Sequence, residues 1–120
     1  LPALHDAVHA ALTNVLGPRP GPYVMSHVSH VYETGASLYT TVIAVADQSD
    51  PVGQWARAKR AVTDAIVAEG ATITHHHAVG RDHAPWLEGE IGPLGIEILR
   101  SVKHQVDPAG VMNPGNLLPE

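Results

Sequence analysis

Three consecutive imidazoles, His75, His76 and His77, stand in a run that opens with Thr72-Ile73-Thr74 and closes with Ala78-Val79-Gly80-Arg81. Read as a strand rising out of a turn at Gly70, this run gives His75 and His77 one face and His76 the other. Extended backbone therefore keeps the three rings from serving one mononuclear metal. It leaves them able to crowd a planar ligand or an oxyanion. A second set of proton-moving groups precedes it, in Tyr23 to Tyr32 and Ala36 to Ala46, two runs rich in Val, Thr, Ile and Tyr around a Glu33-Thr34-Gly35 loop. The expected element is an antiparallel hairpin. Pairing Tyr32 with Ala36 sets Ser29 opposite Tyr39 and His27 opposite Thr41 on a polar face, with Val28, His30, Leu38 and Val42 on a core face. A phenol is a proton donor that burial can tune, and imidazoles can donate to an anionic oxygen.

The elements that must carry these groups can be read from periodicity. Leu4, Val8, Leu12, Val15 and Leu16 predict an amphipathic helix from Pro2 to Leu16, ended by Gly17-Pro18. His5 and His9 lie one turn apart on it, a spacing able to hold a metal, and are read as solvated because no third ligand is evident locally. Asp50-Pro51 is a helix start, with Val52, Trp55, Val62 and Ile66 as its buried stripe and Gly70 as its left-handed stop. Trp55 and Trp86 are both read as core residues. The histidine strand is expected to join the hairpin's sheet by a crossover. Ala84 to Glu90 and Pro93 to Val106 read as two helices interrupted at Gly92-Pro93, with Leu87, Ile91, Leu94, Ile98, Val102 and Val106 facing inward. Arg81-Asp82 suits a helix-start ion pair or cap. The tail from Ala109 to Glu120, with Gly110, Pro114, Gly115 and Pro119 among its residues, has apolar side chains without a period and should lie against another surface.

These elements define an α+β fold, a small antiparallel sheet covered by helices, followed by C-terminal helices and an irregular tail. The 120 residues suit one domain. A formal net charge of −5 with scattered basic residues argues against nucleic acid as a partner. The chain has no cysteine, which excludes disulfides and thiolate chemistry and fits a reducing, cytoplasmic compartment. No apolar run reaches the roughly 20 residues of a membrane span, and no signal peptide is visible, so a soluble chain is expected. Its start at Leu1-Pro2-Ala3, without an initiator methionine, suggests a piece of something longer.

In order, Ser26-His27-Val28-Ser29-His30-Val31-Tyr32-Glu33-Thr34-Gly35-Ala36-Ser37-Leu38-Tyr39, His75-His76-His77-Ala78-Val79-Gly80-Arg81, Asp107-Pro108 and Met112-Asn113-Pro114-Gly115-Asn116-Leu117-Leu118 resemble the carboxy-terminal part of an FAD-linked oxidase. The larger group is the vanillyl-alcohol oxidase superfamily, and the resemblance is to its branch of alkyldihydroxyacetonephosphate synthase and bacterial relatives. Glycolate and D-lactate enzymes of the superfamily usually carry a Gly-Glu-His-Gly type run where this chain has its histidines. The match runs from about Pro22 to Leu118. It departs from the branch at Ala78, where glycine is common, and at Asn116, where bacterial relatives often have lysine.

The resemblance implies the ferredoxin-like cap portion of a two-domain flavoenzyme, whose amino-terminal FAD-binding domain lies in the same polypeptide and holds most of the FAD. It implies that Tyr39 handles proton transfer at a small-molecule substrate, and that His75, His76, His77 and Asn113 border the cofactor. His27, Ser29 and Arg81 are then the substrate-contact candidates, and no protein metal site is expected. The substrate is either an oxidisable hydroxy acid or alcohol, or an acyl glycerone phosphate in a redox-neutral exchange. Without the missing domain the chain should be inert, and apolar surface left uncovered could drive self-association as a homodimer. The plainer alternatives are a half-buried strand tyrosine at Tyr39 and packing, or adventitious nickel or zinc binding, at the histidine triplet. The other functional class is a stand-alone histidine-rich module that binds a metal or a small anion without catalysis.

Overall fold

Proline at the first helical position costs no hydrogen bond, because the N–H it lacks has no partner within the helix. Two of the three helices use it in this computed structural model, which describes residues 1–118. Helix α1 runs Pro2–Leu16, strands β1 and β2 run Tyr23–Tyr32 and Gly35–Ile43, and helices α2 and α3 run Pro51–Ala68 and Ala84–Val106. Pro119, counted with the expected tail, lies outside the described residues. The chain divides into two compact units, Leu1–Ala71 and Thr72–Glu120.

In the first unit, α1 packs on α2 and touches β1. Its core is Val8, Leu12 and Ala58, with Leu4, Val15, Leu16, Val62 and Ile66 against it and Val24 and Val42 contributed by the sheet. The expected α2 stripe is corrected at its amino-terminal end, where Val52 is 77% and Trp55 is 55% exposed. The side turned inward instead carries Ala58, Val62, Thr63 and Ile66. Trp55 lies outside it with the Lys59 ammonium 5.8 Å from its ring centroid. Buried Thr63 meets its hydrogen-bond need by donating to the Lys59 carbonyl at 2.8 Å. At the start of α2 the Asp50 carboxylate accepts from the Gly53 N–H at 2.9 Å. The cap wraps so closely that a Cβ on Gly53 would meet Asp50 Oδ2 at 1.9 Å. At the other end Gly70, at φ 68°, lets Ala71 N–H reach back to the Ile66 carbonyl, a left-handed stop.

The hairpin's register differs from the expected one. Tyr32 pairs with Gly35, so the loop is one residue shorter, and a bulge falls between Val28 and His30. The two offsets restore the parity that either would have broken. His27 pairs with Tyr39 and Met25 with Thr41, so His27, Tyr39 and Thr41 still share a face. Ser29 becomes the unpaired residue of the bulge, and His30, opposite Ser37, crosses to the Tyr39 face. Val24 and Val42 point from the other face into the core.

In the second unit the expected histidine strand is absent. The sheet has two strands, β1 and β2, and residues 72–83 are irregular. Two local causes oppose extension. Ile73 gives its N–H to the Glu90 side chain instead of to a neighbouring strand, and Ala78, at φ 67°, turns the backbone into the left-handed region. Helix α3 has the expected break, at Gly92 with φ 74° and ψ 166°. Its expected inward face is corrected. Ala84, Leu87 and Ile96 are buried, while Ile91, Leu94, Ile98, Val102 and Val106 are exposed. Beyond the break the helix is apolar on two sides, and the side bearing Ile96 and Leu99 turns inward. No helix among the described residues is long and apolar enough to cross a membrane.

Replacing Leu12 with alanine in this core should cost about 2–5 kcal/mol, whereas Val52→Ala on the exposed side of α2 should stay within roughly 0.5 kcal/mol. Urea unfolding of both variants checks this, and equal losses would return Val52 to the core.

Candidate functional site

The candidate residues fall into a sheet-borne group in the first unit and a loop-borne group in the second. On the hairpin, cross-strand pairing brings the His27 and Tyr39 rings to 5.3 Å between centroids, tilted by 31°. Tyr39 is 48% exposed, and Tyr23, Met25 and Ile43, on the same face, are exposed with it. This is the open face of the sheet. Ser29, expected opposite Tyr39, instead lies in the bulge, its hydroxyl 3.1 Å from His30 Nδ1. His30 stacks on Tyr32 with centroids 6.4 Å apart. The bulge thus separates a His27–Tyr39 pair from a His30–Tyr32 pair along one surface. On the inner face Ser26 is within 2.9 Å of the Thr40 hydroxyl and 3.4 Å from His9 Nε2.

In the second unit, His75, His76 and His77 are all exposed. Loss of the strand changes what they can do, because irregular backbone frees consecutive rings from alternation. The His75 and His76 rings meet edge to face at 4.6 Å, with a hydrogen bond between their Nδ1 atoms. His76 then stacks on His77 at 4.3 Å and 29°. Three rings gather into one imidazole cluster.

Glu90 of α3 and Asp107, the residue that caps its C-terminus, hold neighbouring segments. Glu90 accepts from the Thr72 hydroxyl at 2.9 Å and from the Ile73 N–H at 2.6 Å. That anchors the start of the histidine run and keeps Ile73 buried. At the other end of α3, Asp107 is 5% exposed. It accepts from Val111 N–H at 3.0 Å and Met112 N–H at 2.9 Å, and pairs with the Lys103 ammonium, which also reaches the Met112 carbonyl. The hydrogen-bonded Lys103 ammonium does most to hold the Asp107 carboxyl below the usual carboxylate range. Burial pulls the other way, and the Met112 and Val111 N–H groups add to the lowering.

The folded tail returns to the loop. Leu117 N–H donates to the Gly80 carbonyl at 3.0 Å, and the Arg81 guanidinium donates to the Pro114 carbonyl at 3.1 Å. Arg81 therefore ties the loop to the tail, a use that its reading as a helix-start pair with Asp82 missed. Asn113, at φ 46°, accepts from the Asn116 amide at 2.8 Å. Of the expected site residues, the structure joins His27 with Tyr39, the three consecutive imidazoles with one another, and Arg81 with the segment bearing Asn113. Glu90 and Lys103 were not singled out, and Asp107 entered only through the Asp107-Pro108 motif. Lys103 and Asp107 carry a local signal in their four-residue spacing. Glu90 carries none, since its partners lie 17 and 18 residues away.

The sequence matches the family model described as FAD linked oxidases, C-terminal domain, over residues 1–117. It is 33% identical over 97 residues to alkyldihydroxyacetonephosphate synthase of Dictyostelium discoideum, covering 81% of this chain and 16% of that protein. The synthase of Trypanosoma brucei brucei is 29% identical with the same coverage. The uncharacterized FAD-linked oxidoreductase YgcU of Escherichia coli (strain K12) is 26% identical over 78% of this chain and 20% of its own length. The chain thus spans about a sixth of the synthases it matches.

The depressed Asp107 pKa has a definite sign. The carboxylate's stabilisation is present above the unfolded aspartate value of about 3.9 and is lost as pH falls through the lower folded value. Asp107→Asn should flatten this acid limb in the second unit, followed by Trp86 fluorescence in a Trp55→Phe background. An unchanged limb would contradict the role given to the carboxylate.

Proposed function

The chain belongs to the family of FAD linked oxidase C-terminal domains, and we propose that it is the carboxy-terminal cap segment of an FAD-dependent oxidoreductase or alkylglycerone-phosphate-synthase-like enzyme. In this reading it covers the flavin and lines the substrate site, while a domain elsewhere in the same polypeptide holds most of the FAD. The observation that carries the proposal is the match along nearly the whole chain, supported by the side chains at its marked positions. The donor set fits the group. Imidazole N–H groups and an asparagine amide can donate to flavin carbonyl and nitrogen acceptors, and the clustered, exposed rings of His75, His76 and His77 are a surface suited to a planar partner. Bound FAD would supply the electron-accepting ring.

Tyr39 is proposed as the proton-transfer residue, its phenol held beside the His27 ring by strand pairing. His27 orients the phenol and contacts substrate. Ser29 and Arg81 complete the proposed substrate contacts, and both begin from existing hydrogen bonds, to His30 and to the Pro114 carbonyl. Arg81 keeps a fork of N–H groups in addition to the one it spends on Pro114, which suits a carboxylate or phosphate oxygen. His75, His76, His77 and Asn113 are proposed to face the cofactor, where imidazole and amide N–H groups would donate to its acceptor atoms. Exclusion of water by the open, apolar-edged face of the hairpin would strengthen each of these contacts.

The test is anaerobic mixing of the full-length flavoprotein with candidate hydroxy acids, alcohols and acyl glycerone phosphates. Bleaching of the flavin by a hydroxy acid or alcohol identifies an oxidase, and group exchange without net bleaching identifies the synthase type. Tyr39→Phe should keep the bound flavin and lower turnover by about 10²–10⁴-fold. Turnover at the parent rate in that variant would remove Tyr39 from the chemistry.

A further inference from the structure

Two histidines four residues apart on a helix stand one above the other, and on α1 His5 and His9 bring their ring centroids to 4.1 Å. Both rings are half-buried, and each has a polar partner that the spacing alone does not reveal. His5 Nδ1 is 2.9 Å from Asp6 Oδ1. An ionised carboxylate accepts there, so the neutral imidazole carries its proton on Nδ1 and its lone pair on Nε2. A carboxylate behind one ring nitrogen, with the other nitrogen presented outward, is the arrangement that raises the basicity of metal-ligating histidines and fixes their tautomer. His9 Nε2 lies 3.4 Å from the Ser26 hydroxyl, which is itself 2.9 Å from that of Thr40. In the tautomer whose Nε2–H donates to Ser26, Nδ1 is the lone-pair nitrogen of His9.

We propose that His5 and His9 form a two-imidazole site for a divalent transition-metal ion, oriented by Asp6 and by the Ser26–Thr40 hydroxyl pair, separate from the flavin-facing residues. Imidazole nitrogens bind such ions at about 2.0–2.1 Å, and two histidines four residues apart on one helix face are a pairing that can hold a common ion. With two neutral nitrogens and water completing the sphere, the site favours Cu²⁺, then Ni²⁺ and Zn²⁺, over the oxygen-preferring Mg²⁺ and Ca²⁺. The ion would bridge the first and second turns of α1, the helix that supplies Val8 and Leu12 to the core. Occupancy therefore stabilises the first unit, because the ion binds the folded helix and the unfolded chain has no preformed pair.

The experiment is a Zn²⁺ titration of the full-length protein followed by imidazole ¹⁵N resonances, which report each histidine separately and do not depend on activity. The His5 and His9 signals should shift together and saturate at one concentration, with thermal unfolding moving upward. His5→Gln and His9→Gln should each abolish both effects with turnover unchanged. Asp6→Asn should weaken binding by roughly 10-fold or more, and Mg²⁺ should leave the spectrum unmoved. Response confined to His75, His76 and His77, or undiminished affinity in His5→Gln, would overturn the site. Neither result touches the assignment of Tyr39.

Discussion

A backbone segment with no strand or helix to satisfy it must find other partners for its N–H groups, and in the second unit carboxylates on α3 and at its C-cap are such partners. Glu90 takes the Ile73 N–H and the Thr72 hydroxyl. Asp107 takes the Val111 and Met112 N–H groups and the Lys103 ammonium. Charge-assisted bonds of this kind are stronger than neutral ones, and a carboxylate as buried as Asp107 is tolerated only when so surrounded. The imidazole cluster follows one tether and Asn113 the other. Both candidate groups of this unit therefore depend on Glu90 and Asp107, neither of which need touch a ligand.

The first unit solves the same positioning problem with backbone pairing. One face of the hairpin is spent on the core through Val24 and Val42, so everything opposite it is presented outward. The bulge at Ser29 removes one residue from the ladder and lets His27, His30, Tyr32 and Tyr39 share the open side. The result is an exposed aromatic and imidazole surface rimmed by Tyr23, Met25 and Ile43. Along α3 a second exposed stripe, from Ile91 to Val106, is consistent with a chain that spans about a sixth of its matched synthases.

Much of this was legible beforehand, for identifiable reasons. Helix α1, the Asp50 cap, the Gly70 stop and the Gly92 break are local features, each set by a few neighbouring residues. The ordered motifs pointed to the family. Three readings failed because they required non-local knowledge. The Thr72–Val79 run has β-branched residues, but no sequence rule says that a glutamate 17 residues later will take the amide a strand would have used. The hairpin register was missed by one residue at the tip and another at the bulge, which happened to cancel for His27 and Tyr39. On α2 and α3 the apolar stripe alone did not say which of two apolar sides is inward, and Trp55, Leu94 and Ile98 ended outside.

Native-state amide hydrogen exchange tests the carboxylate tethers most directly. The account predicts slowed exchange at Ile73, Val111 and Met112, with Ile73 released selectively by Glu90→Ala and the tail pair by Asp107→Ala. Protection at alternating residues between Thr72 and Val79, unaffected by the loss of Glu90, would mean a strand after all and would contradict it.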